Sequence, residues 1–242
     1  MPLGYRFAHR FVQLQAGLVL YGVSMAMFIR ANLGIDPWDV FHQGLSERTG
    51  LRFGAIVIIV GAAVLALWLP LRQWPGIGTV SNVIVIGLAV EGGLALIPAP
   101  GPMWARVAML AAAVALNGVA TGSYIGARLG PGPRDGLMTG LAARFPRLSL
   151  RLVRTAIEVT VLATGWLLGG SVGVGTVVYA VAIGPLTQAF LPVFTVGGMD
   201  GRRPPAPPSI KPDPSAVRYR LPDAAAHLSD PDAPARPAPI HP

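Results

Sequence analysis

Cysteine is missing from all 242 residues, which excludes disulfides, thiolate catalysis and cysteine metal sites. Charge is also scarce, at 12% of residues, where soluble domains carry about 25%. Lysine occurs once, as Lys211, against eighteen arginines, and with abundant Ala, Gly and Pro this fits a GC-rich bacterial genome. The sequence contains no HExxH, GxSxG or CxxC motif, and His42 is the only histidine near the apolar region with plausible neighbours. No catalytic residue, metal or cofactor is therefore expected, and the chain does not read as an enzyme. What remains is apolar: 52% hydrophobic residues and a mean hydropathy of +0.56. Such a chain cannot cover a soluble surface and belongs in a lipid bilayer. Its net charge of +8 sits in loops and tails between apolar runs, where arginine sets topology rather than binding nucleic acid.

Six apolar stretches are expected to span, at about 11–31, 53–70, 77–97, 103–126, 152–169 and 173–194, since a hydrocarbon core of about 30 Å takes roughly 20 helical residues. The first is too long for a signal-peptide core and is expected to stay uncleaved. With the N-terminus inside, the inner segments hold Arg6, Arg10, Arg72, Arg128, Arg134, Arg144, Arg147, Arg151, Arg154, Arg202 and Arg203, and the outer ones only Arg30, Arg48, Arg52 and Arg106. This bias places both termini in the cytoplasm. Residues 199–242 are proline-dense without apolar periodicity, and read as a disordered cytoplasmic tail.

The chain also repeats itself. Leu33-Gly34-Ile35-Asp36-Pro37-Trp38-Asp39 is echoed by Leu129-Gly130-Pro131-Gly132-Pro133-Arg134-Asp135. Gly76-Ile77-Gly78-Thr79 returns as Gly173-Val174-Gly175-Thr176, and the offset drifts by only one residue. Gly, Pro, Asp and Thr matching together mark a duplication. Three spans per copy make the copies antiparallel across the membrane, an architecture common among small transporters. The expected fold is an all-α membrane protein with six transmembrane helices as two inverted three-helix repeats, residues 1–98 and 99–198.

Each LGxxPxD block predicts a short helix after spans one and four. Pro37 and Pro133 suit the first helical position. Asp36 suits the N-cap, and Asp39 and Asp135 suit the positive first turn. These helices, too short to span, read as interfacial amphipathic or re-entrant elements. Gly34 and Gly130 belong to the same motif. In the GxGT turns, Gly78 and Gly175 permit tight geometry, and Thr79 and Thr176 can cap the next helix. Glu91 lies inside span three with Gln188 as its counterpart, Asn82 adds hydrogen-bonding capacity, and Arg154 can pair with Glu158 at i,i+4. Ionisable groups inside spans usually face a bundle interior or water. Asp39, Asp135, Glu91, Glu158, Asn82 and Gln188 are thus the candidate substrate or ion pathway. The competing reading makes the aspartates helix caps and the other groups interhelical glue.

The runs LGxxPWDVFxxGL, PLRQxPGxGTxxN and LGxGPRDGLMTGL, with Arg154, Glu158, Gly184-Pro185 and Gln188, resemble the YczE-like family of bacterial integral membrane proteins over roughly residues 10–195. The resemblance implies a small multi-pass protein of the cytoplasmic (inner) membrane with an acidic residue near position 91, which Glu91 supplies. The tail is outside the family pattern. Two functions are open at this point: a small transporter or permease for a small molecule or ion, with its pathway at the repeat interface, or a non-transporting membrane regulator or scaffold. The lipid bilayer is the expected partner in either case, and no nucleic acid is expected.

Overall fold

A computed structural model describes residues 3–145 and 147–195. The expected tail, 199–242, lies outside these residues. Among the described residues eight helices follow one another: α1 (Leu3–Ala31), α2 (Pro37–Thr49), α3 (Phe53–Trp68), α4 (Ile77–Leu96), α5 (Met103–Gly126), α6 (Pro133–Arg144), α7 (Leu150–Leu167) and α8 (Val174–Phe194). No strand occurs among the described residues.

The two short helices begin as the sequence indicates. Pro37 opens α2, the Asp36 side chain accepts a hydrogen bond from the Asp39 N–H at 2.9 Å, and left-handed Gly50 ends the helix. Pro133 opens α6, but Gly132 takes the capping place and offers no side-chain acceptor. Thr79 and Thr176 sit one turn into their helices rather than at the cap. Their hydroxyls reach back to accept from the Gly76 and Gly173 N–H groups at 3.2 and 3.3 Å. Each thus satisfies a donor that the first helical turn leaves unpaired.

Among the described residues four helices, α1, α4, α5 and α8, are long and apolar enough to cross a membrane. The expected six is not reached on length and composition. Helix α3 has 16 residues, about 24 Å of rise, and α7 carries Arg151, Arg154 and Glu158 within 18 residues. Helices α2 and α3 together qualify as a further broken span, bent by 114°.

Helix α1 is the central post, packed on α4 and α5. Leu14, Leu18, Met25 and Val90 are fully buried at these contacts. Gly118 and Gly122 present a small-residue face of α5 to Leu186 and Phe190 of α8. The short helices pack on partners distant in sequence, α2 on α7 and α6 on α3. Trp68 at the end of α3 donates its indole N–H to the Pro133 carbonyl at 3.1 Å. Each LG loop is in turn clamped by the distant GxGT turn: Gly78 N–H donates to the Leu129 carbonyl at 2.9 Å, and Gly175 N–H to the Leu33 carbonyl at 2.7 Å. Gly34 and Gly130 stand at φ +104° and +134°, which side chains avoid. A Cβ on Gly34 would also sit 2.6 Å from the Gly173 nitrogen.

Candidate functional site

The starts of α2 and α6 converge on a cavity of about 360 Å³ in the helix bundle. Asp36, Trp38 and His42 reach it from the first block, and Arg134 and Asp135 from the second. Tyr21 of α1, Tyr124 of α5 and Tyr179 of α8 line it too, with Asn82, Arg154, Glu158 and Gln188.

Arg134 is the hub. Its guanidinium lies 3.7 Å from both Asp36 and Asp39 and stacks 5.1 Å from the centre of the Trp38 ring. Asp36 and Asp39 are almost wholly buried, and a buried carboxylate needs such a counter-charge. Asp39 sits just behind the cavity wall and also meets His42 Nδ1 at 3.2 Å. The arginine opposes the dipole of its own helix, whose positive end favours acids. Two carboxylates from the other block and the face of Trp38 offset that cost.

The expected pathway residues separate into two places. Asp135, Glu158, Asn82 and Gln188 line the cavity. Asp135 accepts a long hydrogen bond from the Tyr124 hydroxyl at 3.5 Å, and Arg154 pairs with Glu158 at 2.9 Å as its spacing implied. Glu91 is elsewhere. Its carboxylate accepts the Gly54 N–H at 2.7 Å, filling an unpaired donor at the start of α3. Its depth in α4 suggested a pathway; its partner makes it a clip between α3 and α4. Below the cavity, Asn117 donates to the Ser24 hydroxyl at 2.8 Å and accepts from Tyr179 at 3.3 Å.

Arg134, His42 and the three tyrosines were not among the expected site residues. Trp38 lies 6% exposed beside Arg134. One signal for Arg134 was legible. An arginine in the first turn of a helix, where the first copy has tryptophan, opposes the helix dipole unless acids elsewhere reach it.

Among the described residues no group of three or more His, Cys, Asp or Glu side chains is placed to hold a metal ion.

Long apolar helices around a cavity lined in part by polar side chains define the class: an all-helical membrane protein. The chain belongs to a family described as a family of unknown function (DUF6198), matched over residues 8–192. It is 36% identical over 180 residues to the uncharacterized membrane protein YczE of Bacillus subtilis (strain 168), covering 73% of this chain and 83% of the relative. It is 36% identical over 177 residues to an uncharacterized protein of Haemophilus influenzae (strain Rd), covering 73% and 81%. It is 20% identical over 181 residues to the uncharacterized protein YyaS of Bacillus subtilis (strain 168), covering 73% and 90%. The YczE-like resemblance is thereby established. No solved structure gives a significant match.

Proposed function

We propose that the chain is a small-solute transporter or permease of the bacterial cytoplasmic membrane, without enzymatic activity. In this reading it is built as two inverted three-span repeats with both termini cytoplasmic, and the cavity is its pathway. Helices α1, α3, α4, α5, α7 and α8 then form the six crossings, and α2 and α6 re-enter from opposite faces.

The observation that carries this reading is the contact of Arg134 with Asp36 and Asp39. The arginine distribution assigns the two LGxxPxD loops to opposite sides of the membrane. Loops from opposite sides can touch only if both dip inward, and a cavity where they touch is reachable in principle from either side. The polar seams support the same reading. Helix α3 packs closely on α4, whereas α7 and α8 barely touch. One seam shut and its counterpart open is the asymmetry that one end of an alternating-access cycle requires.

The scaffold reading accounts for Glu91 as glue but assigns no role to a lined cavity of this size. The deciding experiment is a solute screen with the purified full-length chain in sealed liposomes. The expected result is saturable flux of at least one solute class above protein-free liposomes. A folded, correctly inserted protein with no flux across cationic, anionic, zwitterionic and neutral solutes would favour the scaffold. Orientation is tested separately, with single cysteines at Ser46 and Ser149. They should label from opposite faces, and labelling from one face would end the inverted arrangement.

A further inference from the structure

We infer that the cavity binds a small organic monocation, an ammonium compound, through Asp135 and the surrounding tyrosines. The inference rests on the transport reading for the cavity's role, but its test does not.

Charge comes first. Asp36, Asp135, Glu158, Arg134 and Arg154 line the cavity, and Asp39 backs it through Arg134. Four carboxylates therefore face two guanidinium groups. Arg154 is committed to Glu158 at 2.9 Å, and Arg134 is shared between Asp36 and Asp39. Asp135 has no ion pair among the described residues, and its only side-chain contact within hydrogen-bonding range is the 3.5 Å bond from Tyr124. A half-buried carboxylate with no direct ion-pair partner is costly, and a bound ammonium group supplies one.

The lining adds independent support. Tyr21, Tyr124 and Tyr179 line the same space, and the face of a tyrosine ring attracts a desolvated cation. The Trp38 face is already taken by Arg134, so the tyrosines remain for the ligand. His42 lines the cavity at 2% exposure. Its Nδ1 is held by Asp39, and no hydrogen bond to Nε2 occurs among the described residues, which leaves that nitrogen for the ligand. An anion would meet the excess of carboxylates. A bare metal ion would find no cluster of ligands. A volume of about 360 Å³ is at the small end for organic ligands.

The test uses the full chain in nanodiscs and a size-matched triad: benzylamine, benzyl alcohol and benzoate, with tetraethylammonium as a second cation. Binding is read by calorimetry and thermal melting. At least one cation should bind saturably, and neither benzyl alcohol nor benzoate should match it. Asp135→Asn should weaken cation binding at least tenfold. If that variant does not fold, carbodiimide modification of Asp135 in the native chain, located by mass spectrometry, should be slowed by the binding cation and not by benzoate. Preference for benzoate or benzyl alcohol, no binding of either cation, or cation binding indifferent to Asp135 would overturn the inference. Binding without flux in liposomes would overturn the transport reading alone. Flux confined to anionic or neutral solutes would overturn the ligand class and leave transport standing.

Discussion

The α3–α4 seam and the α7–α8 gap occupy corresponding places in the two halves and are built in opposite ways. In the first, Gly87 lies against Gly54 and Ile58, Gly61 lies against Val83, and Glu91 clips the start of α3. In the second, the residues 97 positions on are Gly184, Arg151, Thr155, Glu158, Ala180 and Gln188. A Cβ added to Gly184 meets no atom within 4 Å, and Glu158 stands where the first half has Gly61. Glycine and a carboxylate cap close one seam. At the same places in the second copy, Glu158, Ala180, Gly184 and Gln188 line the cavity. The two stretches that share the sequence motifs therefore differ in the packing between their last two helices.

The largest expected effect concerns the hub that both halves share. Arg134→Met leaves Asp36 and Asp39 buried without a cation, which should cost about 3 kcal/mol. Adding Asp36→Asn and Asp39→Asn to that variant should recover much of the loss. Denaturant or thermal melting in detergent checks both, and an unrescued triple variant would show that Arg134 stabilises by packing instead.

The seam comparison is next. Gly87→Ala drives a Cβ to 2.5 Å from Ile58 Cγ1 and 2.7 Å from the Gly54 carbonyl, an overpacking worth about 1–3 kcal/mol. Gly184→Ala should change stability by less than about 0.5 kcal/mol. Equal losses in paired melting curves would mean that the gap is packed after all.

Glu91 tests whether a clip needs charge. Glu91→Gln keeps an acceptor for Gly54 and should cost under about 1 kcal/mol, with Glu91→Leu costing about 1–3. Flux of a confirmed solute should survive Glu91→Gln; its abolition in a folded variant would return Glu91 to the pathway.

The smallest effect belongs to Arg154–Glu158. The pair is well exposed, so Glu158→Gln should cost no more than about 0.5 kcal/mol in stability while altering solute affinity. A larger stability loss with unchanged affinity would make that pair structural.

Much of this organisation was legible in the sequence. Prolines followed two residues on by aspartate located α2 and α6, because proline at the first position and an acid in the first turn are local chemistry. The Arg154–Glu158 pair followed from helical spacing for the same reason. The contacts of Glu91 and Arg134 were not legible because their partners, Gly54, Asp36 and Asp39, come from other elements. A one-dimensional reading weighs depth and loop charge but not which donor is left over at a neighbouring helix start. The tyrosines were invisible because apolar periodicity treats them as ordinary span residues. The end of α3 was not legible, because the apolar run continues past Trp68 but the helix stops there.

The most direct measurement uses the absence of cysteine as a clean background. Single cysteines are placed at Thr187, which lines the cavity, and at Val90, its fully buried counterpart in the first half. Sealed vesicles are treated with a membrane-impermeant maleimide from each side. The account predicts that the Thr187→Cys chain labels from one side only and the Val90→Cys chain from neither. Two unreactive cysteines would show that water does not enter the cavity, and equal labelling of both would show that the seams do not differ.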